Sequence, residues 1–138
     1  MTCSAQYIPE LHSRGFRVTS QRLVILHVLC HSKTHLSPAK VYELARRDLP
    51  GLTEPTVYRT LEFLSKNHLV QSTLAHRGHL VYQISGSPHH HVICRICGSE
   101  LEVEHKLLKK MYGGLESATG YIINEDHATF FGICPECQ

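Results

Sequence analysis

Residues 52–84, LTEPTVYRTLEFLSKNHLVQSTLAHRGHLVYQI, pass directly from a helical period to a strand-like one. Thr53 stands at an N-cap position, Glu54 and Pro55 suit a first helical turn, and Val57, Leu61 and Leu64 recur along one helix face. From Leu69 onward, two β-rich arms flank a His76-Arg77-Gly78-His79 turn, which reads as a hairpin. Working back toward the N-terminus, HLSPAKVYELARRDLPGL (35–52) predicts another helix. Ser37 caps it, Pro38 takes the first helical position, Val41, Leu44 and Ala45 form an apolar face, and Pro50-Gly51 ends it. In GFRVTSQRLVILHVLCHS (15–32), Thr19 or Ser20 caps a helix that buries Leu23, Leu26, Val28 and Leu29, with Val24 and Ile25 widening the stripe. Three short helices followed by a hairpin is the order of a winged helix-turn-helix, in which the third helix faces DNA.

The first turns of that third helix carry Thr56, Tyr58 and Arg59, suited to phosphate, thymine-methyl and base-edge contacts. Arg17, ahead of the first of these helices, and Arg77 at the hairpin tip add candidate backbone or minor-groove contacts. Charge points the same way. Residues 1–85 hold ten Lys/Arg against five Asp/Glu, a net +5, whereas residues 86–138 hold four against seven, a net −3. A basic first half is the footprint of a polyanion partner. The alternative is a small helical domain in which Tyr58 packs and Arg59 is merely solvated, because fold alone does not give function.

A break at SGSP (85–88) divides the chain into a candidate winged-helix domain, 1–84, and a second domain, 85–138. In the latter, HHHVIC, SELEVEH and YIINEDHATFFGIC are strand-like and HKLLKKMYGGLESATG holds a short helix. The fold class is therefore α+β.

Two C-x-x-C pairs, Cys94/Cys97 and Cys134/Cys137, carry the metal chemistry, leaving Cys3 and Cys30 single. A two-residue gap lets both sulfurs of a pair point at one ion from a tight turn, which Gly98 eases. Two such knuckles complete a tetrahedral four-thiolate zinc site. The 36 residues between Cys97 and Cys134 exceed a compact zinc ribbon and require a folded excursion. Two unrelated thiol pairs, or a redox-active C-x-x-C, are the alternatives.

Three consecutive histidines precede the first knuckle. Side chains alternate along a strand, so His89 and His91 share a face and His90 takes the other. Two imidazoles on one face, with Glu102 on a strand just past the knuckle, make a start for a second ion with mixed N/O ligands. An exposed polar turn is the alternative.

Taken together, GFRVTSQRLVIL, THLSPAKVYELA, TVYRTLEFL, HHHVICRICG and FFGICPEC, in that order, resemble the ferric-uptake-regulator (Fur) family of bacterial metal-dependent repressors across nearly the whole chain. The resemblance implies an N-terminal winged helix, a hinge and a small C-terminal α/β dimerisation domain, hence a homodimer on double-stranded operator DNA. It implies structural zinc at Cys94, Cys97, Cys134 and Cys137, and an exchangeable regulatory ion held by His35, His89, His91 and Glu102. That ion is Fe(II) or Zn(II), or alternatively Mn(II) or Ni(II), since imidazole and carboxylate suit them all. Where the family has an acidic residue, or a cysteine in zinc sensors, this chain has Gln83. An additional family site would involve His90 and His127, but Lys109 stands about where its glutamate is expected.

The resemblance implies a repressor of metal-homeostasis genes, such as those of iron or zinc uptake, with the exchangeable ion as corepressor. A peroxide-sensing repressor of the same family is the near alternative, although that subtype is similar to an aspartate-bearing site where Glu102 stands. A zinc hydrolase using the histidines and Glu102 is the rival from another class. It lacks an H-E-x-x-H helix and any substrate-pocket motif, so no enzymatic activity and no small-molecule substrate are expected. No apolar run reaches the ~20 residues of a membrane span, and the N-terminus has no signal-like apolar core. The expected location is the cytoplasm, without membrane association.

Overall fold

The computed structural model describes residues 3–32, 34–86, 89–123 and 127–138. Its chain divides into two compact units. One comprises Met1–Ser72 and Leu80–Ser85, the other Thr73–His79 and Gly86–Gln138.

The first unit holds α1 (Tyr7–Ser13), α2 (Ser20–Cys30), α3 (Pro38–Asp48) and α4 (Glu54–Lys66). Thr19 caps α2 by accepting the Arg22 N–H at 3.3 Å, and Ser37 caps α3 by accepting the Lys40 N–H at 3.2 Å. Thr53 occupies the N-cap of α4 but its hydroxyl turns to the Thr56 hydroxyl, 2.9 Å away, instead of to backbone. Ile25, Leu26, Leu29, Val41, Ala45, Val57, Leu61 and Leu64 meet Leu11 in one core from which water is excluded. Of the expected stripe on α2, Leu23 and Val28 are only half-buried, and Ile25 takes the interior position instead. Leu44 of α3 is likewise half-buried. The seven-residue α1 has no period that announces it, and it docks through Tyr7 and Leu11.

Strands β1 (Val70–Leu74) and β2 (Leu80–Ile84) form the hairpin. Its tip is a single 3₁₀ turn, His76–Gly78, in which Arg77 and Gly78 both adopt positive φ, 70° and 77°. Within the first unit Leu36 and Tyr82 exchange backbone hydrogen bonds of 2.8 Å in both directions, an antiparallel bridge that adds an extended segment before α3 to β2. Helices followed by a β-hairpin are the element order of a winged helix.

The second unit centres on a three-stranded sheet in the order β4-β3-β5. Here β3 is His89–Cys94, β4 is Glu100–Glu104 and β5 is His127–Gly132. β4 runs antiparallel to β3, and β5 runs parallel to it. Between β4 and β5 lies α5 (His105–Thr119), longer than the short helix the sequence suggests, with Gly120 closing it in the left-handed conformation at φ 73°. Ser87 and Pro88, half of the SGSP break, lie outside the described residues. Among the described residues no helix is long and apolar enough to cross a membrane.

Candidate metal and nucleic-acid sites

The two knuckles are built by backbone before any metal is considered. Within the first, Cys94 N–H donates to Ser99 O at 2.9 Å and Gly98 N–H to Cys94 O at 3.0 Å. Gly98 sits at φ 76°, where a side chain is strained, and a Cβ there would press on the His76 ring at 3.3 Å. In the second, Cys137 N–H donates to Cys134 O at 3.0 Å. The parallel pairing of Cys94 with Gly132 delivers the end of β5 to the end of β3, which brings the knuckles together despite their distance in sequence.

The sulfurs of Cys94, Cys97, Cys134 and Cys137 consequently all lie within 4.8 Å of one another, and those of Cys97 and Cys134 are 3.7 Å apart. A tetrahedral ion with bonds of ~2.3 Å needs sulfur–sulfur edges of roughly 3.8 Å, so the donor set fits zinc. Cys94 Sγ accepts the N–H groups of Ile96 and Cys134, each at 3.4 Å. Backbone donors, that of Cys134 foremost, draw the Cys94 thiol down to about 6. The Ser99 hydroxyl lowers Cys97 as well. Cys137 is pushed up to about 12, chiefly by hydrogen bonding with Cys134. Cys30, outside both C-x-x-C pairs, is disulfide-bonded.

The histidine triplet splits across the sheet. His89 and His91 meet edge to face with ring centroids 5.0 Å apart. Antiparallel register sets His91 opposite Glu102 and His89 opposite Glu104, so these four share a sheet face. The carboxylate in contact with His91 is Glu100, whose Oε1 lies 2.5 Å from His91 Nδ1. Glu100 was not among the expected ligands, although the alternation of Glu100, Glu102 and Glu104 along β4 carried the signal. Burial lowers the pKa of His91, and Glu100 opposes that shift. The neutral imidazole favoured by burial is the form that binds metal.

His90 turns to the other face and is fully buried. Its Nδ1 accepts the Ala128 N–H at 3.0 Å and lies 3.4 Å from the Tyr112 hydroxyl. That acceptor role assigns the ring proton to Nε2, which donates to His105 Nδ1 at 2.9 Å. Both nitrogens are thus engaged inside the unit. His127 begins β5 beside His89, and its side chain lies outside the described residues.

In the winged-helix unit, His35 precedes the Leu36–Tyr82 bridge and is half-buried. Gln83 follows that bridge on β2, and its amide Oε1 is buried without a hydrogen-bond partner among the described residues. An orphaned buried acceptor suits a cation or a donor that arrives later. On α4, Tyr58 is 52% exposed, Arg59 is exposed and Thr56 is half-buried. Arg17 and Arg77 are exposed as well. The packing requires none of these arginine heads, which leaves them available to a polyanion.

A winged helix joined to an α/β unit rich in thiolates and imidazoles defines the class. The ferric uptake regulator family model matches residues 13–131, and the chain belongs to that family of metal-responsive regulators. It is 33% identical over 134 residues to the ferric uptake regulation protein of Bacillus subtilis, covering 94% of this chain and 90% of that one. To the ferric uptake regulation protein of Campylobacter upsaliensis it is 31% identical over 131 residues, 93% and 84% of the two chains. The solved ferric uptake regulator of Pseudomonas aeruginosa with manganese is similar, with a TM-score of 0.75, 25% identity and coverage of 92% and 96%.

Proposed function

We propose that this protein is a metal-dependent transcriptional repressor that binds operator DNA as a homodimer, with one exchangeable divalent ion as corepressor. The observation that carries this reading is the separation of two donor sets in one small unit: four clustered thiols, and the His89–His91 pair facing the carboxylates of β4. Thiolates suit a permanent structural zinc ion, whereas imidazole and carboxylate suit an ion that exchanges. The manganese in the P. aeruginosa relative supports the second role.

His89, His91 and Glu102 hold the exchangeable ion on the C-terminal side, and His35 supplies an imidazole from the winged helix. Gln83 offers it a neutral oxygen, and Glu100 orients His91. Binding all of these donors selects one conformation of the two domains, 1–84 and 85–138. In the dimer that conformation sets the spacing of the α4 helices, which must match the half-sites. The ion shifts the population by no more than its differential affinity for the closed form. Thr56, Tyr58 and Arg59 read the operator, and Arg17 and Arg77 hold its backbone. His90 and His127 stand as a candidate additional metal site, for which His90 would exchange its hydrogen bonds to His105 and Ala128.

Operator selection with protein retaining only its thiolate-bound zinc, repeated across Fe(II), Zn(II), Mn(II) and Ni(II), tests the reading. Sequence-specific binding that rises with one of these metals supports it. Binding that no metal alters at any concentration contradicts it.

A further inference from the structure

His27 and His31 stand one helical turn apart at the C-terminal end of α2, with ring centroids 4.2 Å apart. Residues at i and i+4 share a helix face, so two imidazoles there can reach one ion without moving backbone. The hydrogen bonding of His31 prepares it for that role. Its Nδ1 lies 2.9 Å from His27 O, and because a carbonyl only accepts, Nδ1 carries the proton. The lone pair therefore sits on Nε2. A backbone carbonyl that fixes tautomer and ring orientation in this way is the usual outer support of a metal-ligating histidine.

The surroundings favour a cation and give it access. Both rings line an open cleft of about 510 Å³, together with Ser32, Leu44, Arg47 and Asp48. Carbonyls at the end of an eleven-residue helix carry partial negative charge, and Asp48 adds a full one. Arg47 opposes them, but its guanidinium pairs with Glu43 at 3.4 Å. Cys30, between the two histidines in sequence, is disulfide-bonded and offers no thiolate. The donor set is therefore nitrogen with oxygen or water, which suits borderline divalent ions in preference to Cu(I).

We infer that His27 and His31 form a second exchangeable metal site, a two-imidazole chelate for Ni(II), Cu(II) or Zn(II) on the winged-helix unit, independent of His89 and His91. It does not rest on the repressor reading, since a hydrolase or an interaction module would carry it equally.

The test is a titration of the full chain, its thiolate zinc retained, with NiCl2. Wild-type protein is expected to take up two exchangeable equivalents, H31A and H91A one each, and the double variant none. Uptake in H31A equal to wild type overturns the proposal, whereas a single equivalent in wild type that H91A keeps and H31A loses supports it and counts against the His89–His91 site instead. A readout that needs no variant comes from paramagnetic Ni(II), which should broaden the imidazole resonances of both His27 and His31. Sharp resonances at saturating Ni(II) also overturn it, whatever the fate of H31A.

Discussion

Leu36 and Tyr82 exchange two backbone hydrogen bonds of 2.8 Å, and this antiparallel register sets His35 across from Gln83. A histidine expected to bind the regulatory ion thus stands beside Gln83, a position where the resemblance implies an anionic or thiolate donor. The neutral Gln83 oxygen is buried without a hydrogen-bond partner among the described residues. Replacing it with a carboxylate adds charge without adding bulk. In Gln83→Glu the metal concentration for half-maximal operator binding should fall, on the order of tenfold. An unchanged midpoint in fluorescence-anisotropy titrations would remove Gln83 from the ligand set.

The Cys94 thiol, drawn down by the backbone N–H groups of Cys134, Cys97 and Ile96, anchors the four-sulfur cluster. Cys94→Ser and Cys134→Ser should each lose tightly bound zinc and destabilise the second unit, because metal binding and folding are coupled there. Zinc content by atomic emission and hydrogen exchange of β3 and β5 measure both effects. Full zinc content with native protection in both variants would refute the assignment.

His90 bridges three elements, taking the Ala128 N–H of β5 and bonding His105 of α5 from within β3. His90→Ala removes the acceptor of the half-buried Ala128 N–H and empties a fully buried position, which should cost about 1–3 kcal/mol in all. Chemical denaturation should show that loss, while thiolate zinc stays bound. A change below about 0.5 kcal/mol, the scale of an ordinary surface substitution, would mean that the network contributes little.

Arg59 is exposed on α4 and Tyr58 is 52% exposed beside it. Arg59→Ala should weaken operator binding by ~1–3 kcal/mol if it makes a bidentate base contact, and should relax specificity at that base pair. Tyr58→Ala should weaken binding too. Equal affinity of both variants and wild type, at low and moderate salt, would mean that another element reads the DNA.

Local signals in the sequence carried much of this structure. The caps Thr19 and Ser37, the α4 stripe of Val57, Leu61 and Leu64, and the opposite facing of His89 and His90 all depend on near neighbours. What escaped depends on partners far along the chain. The choice of Ile25 over Leu23 for the core is made by packing against other helices. Parallel pairing of β5 with β3, which assembles the thiolate cluster and supplies Ala128 to His90, has no local period. Contact of Glu100 with His91 follows from side-chain reach diagonal to the register, which alternation along one strand does not specify.

The central claim is that one ion, exchangeable and separate from the thiolate zinc, couples His35 in the N-terminal domain to His91 in the C-terminal one. The direct measurement is operator affinity against free metal concentration for wild type, His35→Ala and His91→Ala, with zinc content recorded in parallel. Both variants should keep their thiolate zinc and their dimer yet lose metal-stimulated binding, although the two positions lie more than fifty residues apart. A metal response in both variants that matches wild type would contradict the account.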